Sequence, residues 1–336
     1  KIVYTPLHGT GNLPVRRILK ELGFKNVFVV PEQELPDPEF TTLAYPNPED
    51  PAAFELAIKL AKEVGADIIL ATDPDADRLG VYALDTKSGE YVSFTGNMSG
   101  MLIAEYLLRE KTKTGTMPEN PALVKTIVTT NMADVMTKAY NVKEIEVLTG
   151  FKYIGEQIGL LEKQGKADSY IFGFEESYGY LSGSYVRDKD GVDGAFLICE
   201  MFGYYAARGI SLWEKLSQLY QKYGYCLNTL HSYEFDGSAG FRKMQALMAS
   251  FRADVTVGTT LGGKKVQKVL DYSAGLDGLP KADVLKYLLE GNCSVVVRPS
   301  GTEPKLKTYI SVCASTREEA QTLETAISRQ LDGLLR

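Results

Sequence analysis

The sequence predicts an α/β protein with two consecutive α/β domains that contain mixed sheets, followed by a smaller α+β domain with an antiparallel sheet. Over the first two thirds of the 336 residues, short apolar runs alternate with amphipathic segments, as expected of βαβ units. After Gly224 the pattern changes to fewer strands separated by longer helices. A polar stretch at residues 111–121, which contains two prolines, is typical of a linker. We therefore expect domains at residues 1–112, 113–226 and 227–336.

The first predicted domain alternates strands and helices from its first residues. Residues 66–71 form an apolar run, which is typical of a strand covered on both faces. Gly23 follows the first helical pattern and marks its end. The predicted strands are 2–5, 27–30, 66–71, 80–84 and 91–94, the last two as a hairpin, and the predicted helices are 14–22, 52–64 and 97–109.

The remaining two domains are predicted from the same kinds of pattern. In the second domain the predicted strands are 123–129, 145–148 and 169–174, and the predicted helices are 131–140, 153–164, 192–208 and 211–223. In the third domain the predicted strands are 233–236, 294–297 and 308–313, and the predicted helices are 241–251 and 317–330.

Composition argues against several classes of partner. The net charge is −6 and the basic residues form no stripe, so nucleic acid is not expected as a partner. No stretch approaches the roughly 18–20 apolar residues that a membrane span requires. The four cysteines are scattered without C-x-x-C spacing, so we expect buried free thiols in a cytoplasmic protein. These cysteines are Cys199, Cys226, Cys293 and Cys313.

Three aspartates at alternate positions directly follow the apolar run 66–71. Asp73, Asp75 and Asp77 therefore lie in a turn at the carboxyl end of a strand, the edge of an α/β sheet where ligands bind. Because like charges repel, a bound cation is what makes such a turn favourable. Hard oxygen ligands without His or Cys indicate Mg²⁺ or Ca²⁺. Arg78 follows at once and is placed to bind an anion beside the metal.

Other interpretations of the aspartate turn remain. An EF-hand loop is rejected, because it needs Gly at its sixth and Glu at its twelfth position, where Arg78 and Leu84 stand. A Mg²⁺-dependent phosphatase with Asp73 as nucleophile and Asp75 as a second acid stays a rival. A solvated acidic turn without a metal is the simplest alternative.

A glycine-containing turn, His8-Gly9-Thr10-Gly11, lies between the first strand and its helix. A dinucleotide-binding fingerprint would lie at the same place, but Pro14 stands where its third glycine is needed. The sequence therefore favours a tight strand-to-helix turn without a nucleotide role.

Two further segments carry polar groups near the end of the strand 169–174. The acids and hydroxyl of Glu175, Glu176 and Ser177 suit vicinal sugar hydroxyls, although a helix cap or an acidic turn explains them equally well. Lys189 is flanked by two acids. It belongs either to a solvated charge cluster or, if it faces a cleft, to a site for proton transfer or phosphate binding.

A basic loop follows the strand 294–297. Arg298 offers a two-pronged donor to phosphate oxygens. Ser300 and Thr302 add hydroxyl groups, and Gly301 lets backbone N–H groups curl around an anion. Lys305 adds a further positive charge. This composition favours phosphate binding over a plain turn.

Four of these motifs occur in a fixed order along the chain. They are D-P-D-A-D-R at 73–78, F-E-E-S-Y-G at 174–179, R-D-K-D-G at 187–191 and R-P-S-G-T-E-P at 298–304. Together they resemble the alpha-D-phosphohexomutase family, which includes phosphoglucomutase and phosphomannomutase. The run F-E-E-S and the run L-T-G-F-K at 148–152 are most similar to the phosphoglucomutase/phosphopentomutase branch. The resemblance spans essentially the whole chain and covers the second, third and fourth of the family's four domains.

This resemblance implies an isomerase that moves a phosphoryl group between the 1- and 6-positions of a hexose phosphate, with glucose favoured, through a bisphosphate intermediate. It implies that Mg²⁺ binds Asp73, Asp75 and Asp77, that Arg78 and Lys189 act in catalysis, that Glu175, Ser177 and Thr149 contact the sugar, and that Arg298, Ser300, Gly301, Thr302 and Lys305 hold the phosphate.

One element of the family pattern is missing from these residues. The family's nucleophile is a phosphoserine in a T-A-S-H-N-P-like loop of its first domain, and no serine in this chain is followed by histidine. The resemblance therefore implies that the catalytic serine lies upstream of Lys1 and that this chain alone is inactive. The alternatives are a phosphomannomutase or phosphopentomutase, a Mg²⁺-dependent sugar-phosphate phosphatase, and a non-catalytic sugar-phosphate-binding module.

Overall fold

The computed structural model describes residues 1–301 and 304–335. The chain divides into two compact units, and each is described by itself. The first unit comprises Lys1–Thr129 and Met136–Leu219, and the second comprises Thr130–Val135 together with the chain from Tyr220 onward. Among the described residues, no helix combines the length and the apolar character that crossing a bilayer demands.

The first sheet of the first unit is mixed, as predicted. Its strands are β1 (Ile2–Thr5), β2 (Val27–Val29), β3 (Ile68–Thr72), β4 (Leu79–Leu84) and β5 (Tyr91–Phe94), and its helices are α1 (Asn12–Glu21), α2 (Glu55–Val64) and α3 (Gly96–Thr114). The strand order is β2-β1-β3-β4-β5, with β1 parallel to both neighbours and the β3–β4–β5 part antiparallel. Every residue of β1 and β3 is buried, which explains their unbroken apolar runs.

The second sheet of the first unit is also mixed. Its strands are β6 (Ala122–Thr126), β7 (Lys143–Val147), β8 (Tyr170–Phe174) and β9 (Tyr180–Ser182), and the helices of this region are α4 (Met132–Ala139), α5 (Phe151–Lys163), α6 (Gly191–Ala206) and α7 (Leu212–Tyr223). The strand order is β7-β6-β8-β9, in which only β9 is antiparallel to its neighbour. The three-residue β9 was not predicted. Both sheets lie in one compact unit, so the domain boundary near residue 112 stays a prediction.

The second unit contains an antiparallel sheet, which confirms the predicted fold class. Its strands are β10 (Tyr225–Glu234), β11 (Thr260–Leu261), β12 (Lys264–Asp271), β13 (Leu285–Leu289), β14 (Cys293–Pro299) and β15 (Lys305–Ala314), and its helices are α8 (Gly237–Asp254) and α9 (Arg317–Leu335). The strand order is β10-β15-β14-β13-β12-β11. The prediction of few strands was wrong, because β11, β12 and β13 were missed. In β12 Lys265 and Lys268 are exposed and Val266 is the fully buried residue, so the apolar signal is weak.

The prediction of four free thiols is wrong for two of the cysteines. Cys226 and Cys313 form a disulfide, with Cα atoms 4.3 Å apart. They lie directly opposite each other in the antiparallel β10–β15 pair, which brings residues 87 positions apart into contact. Sequence spacing gives no indication of such a register. Cys199 and Cys293 are free and buried, as expected.

Two glycines of α5 provide a matched test of its packing. A Cβ atom on Gly155 would lie 2.1 Å from the backbone oxygen of Arg187, whereas one on Gly159 would meet nothing within 4 Å. We expect Gly155→Ala to destabilise the protein by about 1–3 kcal/mol, because the backbone of residue 187 must move. Gly159→Ala should stabilise it by about 0.5–1 kcal/mol, because alanine favours the helix.

Urea unfolding followed by the fluorescence of Trp213, in the first unit, measures both effects. Equal changes for the two variants would contradict the close approach of α5 to residue 187.

Candidate metal and sugar-phosphate site

The three aspartates form a compact group at the end of β3. One carboxylate oxygen from each of Asp73, Asp75 and Asp77 lies within 4.8 Å of the others. Asp73 is buried, Asp77 is half-buried and Asp75 is exposed. Ala76 adopts a positive φ of 58° and its N–H donates to the Asp73 carbonyl at 3.0 Å, so the turn is tight. We call residues 73–77 the aspartate turn.

The turn after β1 packs closely against the aspartate turn. The Thr10 N–H donates to the Pro74 carbonyl at 2.8 Å. A Cβ atom on Gly9 would lie 2.4 Å from Pro74 Cα, and one on Gly11 would lie 2.6 Å from the Thr72 hydroxyl. Gly9 and Gly11 are therefore required because the two turns approach each other closely. This packing explains the glycines without a nucleotide-binding role.

Two cations offset the negative charge of the aspartate turn. Arg78 donates from its backbone N–H and from Nε to the two carboxylate oxygens of Asp73, at 2.9 and 2.7 Å. Lys189 Nζ lies 2.5 Å from Asp77 Oδ2. The structure therefore brings Lys189, predicted as either a solvated or a functional residue, to the aspartate turn with its side chain only 19% exposed.

The pKa directions follow from this charge arrangement. Burial, followed by the neighbouring charge of Asp73, raises the pKa of Asp77 even though Lys189 acts in the opposite direction. Burial alone would lower the pKa of Arg78 and of Lys189. Hydrogen bonds to Asp73 and Asp77, respectively, outweigh burial, so both pKa values rise and both side chains stay protonated.

The donor set of the aspartate turn fits a small hard cation. Mg²⁺ binds oxygen at about 2.0–2.1 Å in octahedral geometry, so its ligand atoms lie roughly 2.9–4.2 Å apart. The ligand oxygens of the three aspartates lie within 4.8 Å of one another. At least two of the three oxygen pairs must be about 2.9 Å apart around one such ion, so the three side chains must draw closer together on binding. All three ligands are carboxylates, as a hard cation prefers.

The acidic loop after β8 contacts the strand that follows the aspartate turn, and the R-D-K-D-G segment contacts the turn itself. The Leu79 N–H donates to the Tyr178 carbonyl at 3.0 Å, and the Gly191 N–H donates to the Ala76 carbonyl at 2.9 Å. Glu175 within this loop is only 6% exposed. Burial, then the charge of Glu176, raises the pKa of Glu175 to about 7. Glu175 can therefore donate or accept a hydrogen bond near neutral pH.

Close packing holds Glu175 and Lys189 near each other. A Cβ atom on Gly179 would lie 2.8 Å from Glu175 Oε1 and 2.9 Å from Lys189 Cδ. The Ser177 hydroxyl donates to the Glu175 carboxylate and lowers its pKa in part. Thr149 lies between β7 and α5, just before Gly150, which has a φ of 114°. The sugar-binding roles of Glu175, Ser177 and Thr149 stay predictions.

The basic loop belongs to the second unit and follows β14. Arg298 is part of that strand, and the Ser300 N–H donates to the Lys305 carbonyl at 2.7 Å, which closes the loop. Lys305 Nζ lies 3.5 Å from Glu234 Oε1. Gly301 is exposed, and Thr302 lies outside the described residues. The phosphate-binding role of this loop stays a prediction.

One acid at the site, Glu49, was missed by sequence reasoning, and the partner of a second, Glu176, was not predicted. Arg78 Nη1 donates to Glu49 Oε1 at 3.0 Å, and Glu49 lies in the proline-rich connection before α2. Glu176 Oε2 accepts from the Thr126 hydroxyl at 3.1 Å at the end of β6. No local pattern marks Glu49. Glu176 was named in the acidic loop, but its partner lies 50 residues away in the sequence.

Comparison with known families identifies the three regions of the chain. Residues 1–86 match the model of phosphoglucomutase/phosphomannomutase alpha/beta/alpha domain II, residues 95–223 match alpha/beta/alpha domain III, and residues 252–329 match the C-terminal domain. The chain belongs to the phosphoglucomutase/phosphomannomutase family. A phosphoglucomutase from Staphylococcus aureus (strain MSSA476) is 35% identical over 339 residues, which cover 97% of this chain and 59% of that protein. The chain thus spans about three fifths of the length of its curated relatives.

Solved structures of this family have the same fold. Parafusin, a phosphoglucomutase from Paramecium, superposes with a TM-score of 0.71 at 19% identity over 99% of this chain and 56% of that one. An N-acetylphosphoglucosamine mutase from Aspergillus fumigatus, solved with GlcNAc-6P and magnesium, gives a TM-score of 0.55 at 14% identity, over the whole of this chain and 62% of that one. Both likenesses concern the fold of the corresponding three domains.

Replacement of Glu175 tests the effect of its burial. The folded state holds the proton of Glu175 more tightly than the unfolded chain does. Stability is therefore lost as the pH rises from 4.5, the ordinary pKa of glutamate, to about 7, its pKa in the folded protein. Glu175→Gln carries no such charge. We therefore expect the free energy of unfolding of the variant, relative to that of the natural protein, to rise by up to roughly 3 kcal/mol between about pH 5 and pH 8.

Urea unfolding at the two pH values measures this difference. Glu156→Gln, an exposed position on α5, controls for the loss of one carboxylate. A stability difference between Glu175→Gln and the natural protein that is the same at both pH values would contradict the raised pKa.

Proposed function

We propose that this chain is the metal-, sugar- and phosphate-binding part of a phosphosugar mutase. The reaction moves a phosphoryl group between the 1- and 6-positions of a hexose monophosphate, with glucose favoured, through a bisphosphate intermediate. The observation that carries this proposal is the aspartate turn, in which three carboxylates within 4.8 Å of one another lie beside Lys189. The S. aureus relative named phosphoglucomutase supports the choice of glucose. We further propose that the protein works in the cytoplasm.

The aspartate turn would hold Mg²⁺ through Asp73, Asp75 and Asp77. When bound there, the metal supplies positive charge that offsets the charge developing on the transferring phosphoryl group. Arg78 is held by Asp73 and Glu49 in a fixed orientation, with its side chain 25% exposed. It is therefore rigid enough to orient a phosphate oxygen rather than merely attract it.

Lys189 and Glu175 would handle protons and sugar hydroxyls. Lys189 is protonated because Asp77 raises its pKa, so in this state it can give a proton to an oxygen from which the phosphoryl group departs. Glu175 and Ser177 would bind hydroxyl groups of the sugar, together with Thr149. Glu175 is suited to this because its pKa of about 7 allows it to accept or to donate.

The phosphate that does not react would bind the basic loop, through Arg298, Ser300, Gly301, Thr302 and Lys305. A phosphoserine would donate its phosphoryl group to the free sugar hydroxyl, and the opposite phosphate of the bisphosphate would return to it. We propose that this serine is not among the 336 residues, so that the chain alone binds ligands without turning over.

The rival phosphatase mechanism is opposed by the state of Asp73. Its carboxylate is 3% exposed, and both oxygens accept hydrogen bonds from Arg78. The burial of the side chain and the two hydrogen bonds from Arg78 oppose attack of Asp73 on a phosphorus atom, whereas each oxygen keeps a second lone pair for a small cation.

Metal binding can be tested on this chain alone. Asp75→Asn removes an exposed carboxylate and leaves the Arg78–Asp73 and Lys189–Asp77 contacts intact. We expect calorimetric titration to show saturable Mg²⁺ binding by the natural chain and a loss of at least about tenfold in affinity for the variant. Asp85→Asn, which lies in the turn between β4 and β5, should bind like the natural chain. If the natural chain takes up no Mg²⁺, the metal assignment fails.

The reaction can be tested on a longer protein that includes the residues encoded upstream of Lys1. We expect Mg²⁺-dependent conversion of glucose 1-phosphate to glucose 6-phosphate by that protein and none by the 336-residue chain. Mannose and pentose phosphates in the same assay decide between the sugars. Conversion at a rate that does not depend on Mg²⁺ would rule out the proposed mutase mechanism. Release of inorganic phosphate by the 336-residue chain, abolished by Asp73→Asn, would instead establish the phosphatase.

A further inference from the structure

The Cys226–Cys313 disulfide lies at one end of the sheet of the second unit. Cys226 is the second residue of β10, which begins directly after α7 and Gly224. Cys313 is the next-to-last residue of β15. The bond therefore fastens the beginning of one strand to the end of its neighbour, at the end of β15 that is remote from the basic loop.

The two cysteines of the disulfide differ in their burial: Cys313 is partly exposed, whereas Cys226 is buried. A cavity of about 900 Å³ in the second unit is lined by Cys313, Asn292 and Thr322, among others. The exposed Asn292 has its side-chain amide 3.9 Å from Cys313 Sγ, which places that sulfur toward the cavity. Cys226 is only 5% exposed and does not line the cavity. An incoming thiolate therefore reaches Cys313 first.

A third cysteine beside the disulfide does not compete for it. Cys293 Sγ accepts a hydrogen bond from the Cys313 backbone N–H at 3.4 Å. Burial raises the pKa of the Cys293 thiol, so it stays protonated and is a poor nucleophile. Exchange at this disulfide therefore requires a thiol from solution.

The second unit has other sources of stability besides this bond. The β10–β15 ladder contains ten paired positions, of which Cys226 and Cys313 are one. A continuous core lies on this sheet, formed in part by Val295, Ile310 and Ile327. Reduction breaks only the S–S bond, so we expect the ten-position ladder and the core to keep the second unit folded in both redox states.

We propose that Cys226–Cys313 is a reversible redox bond, opened by attack of an external thiolate on Cys313 Sγ through this cavity. The attacking sulfur bonds to Cys313 Sγ, the Cys226–Cys313 bond breaks, and Cys226 leaves as a thiolate that takes a proton from solvent. With a dithiol, the second thiol displaces Cys313, so two electrons pass from the dithiol to the protein. The dithiol leaves as its own disulfide.

Mass spectrometry of the full chain tests this assignment without any variant. Glutathione serves as the probe, and free thiols are trapped with an alkylating reagent before digestion. We expect the mixed disulfide on Cys313 and the free thiol on Cys226. A dithiothreitol titration should then convert the protein fully to two thiols while the circular dichroism of the folded chain persists. An adduct on Cys226, or a bond that opens only after unfolding, would overturn the proposal.

A pair of variants tests the route of attack. Thr322 and Thr325 are both exposed threonines of α9, but only Thr322 lines the cavity. We expect Thr322→Trp to slow exchange by about tenfold or more, because access governs the rate. Thr325→Trp should leave the exchange rate nearly unchanged. Equal rates in the two variants would exclude the cavity as the route, and neither result bears on the proposed mutase function.

Discussion

The repulsion among three neighbouring carboxylates is the constraint on which the candidate site depends. Asp73 and Asp77 are drawn out of bulk water, and burial together with their mutual repulsion raises the pKa of Asp77. The protein offsets this with Arg78 from the same loop and Lys189 from a loop more than a hundred residues later. Contact between the two loops is therefore an electrostatic requirement as much as a matter of packing.

This arrangement couples the metal-binding and proton-transfer functions that we propose. Lys189 shares Asp77 with any cation that the three aspartates bind, because its Nζ already lies 2.5 Å from that carboxylate. A second positive charge near Asp77 weakens the hold of Asp77 on Lys189 and lowers the cost of losing the Lys189 proton. A lysine that is simply protonated without the metal can thus become a more readily titrated group when the site is filled.

The parts of the site that sequence reasoning found are those in which the chemistry is local. Asp73, Asp75 and Asp77 lie within five residues directly after an apolar strand. One short stretch of sequence therefore predicts the strand, the turn and the set of metal ligands. Glu49 stands in an irregular connection, and only the folded chain brings it to Arg78. The fold followed the same rule. Fully buried strands such as β3 were predicted, whereas β12, with two exposed lysines, was missed.

The cysteines show why long-range pairing resists prediction from one sequence. Scattered cysteines without short spacing are equally consistent with free thiols and with a disulfide between neighbouring strands. The choice depends on register, because a shift of one residue between β10 and β15 would turn Cys226 to the opposite face from Cys313. Register in turn depends on the whole ladder and on the core beneath it. A disulfide in this position is therefore a consequence of the strand register, and the reversible opening that we propose would leave that register to the ladder and the core.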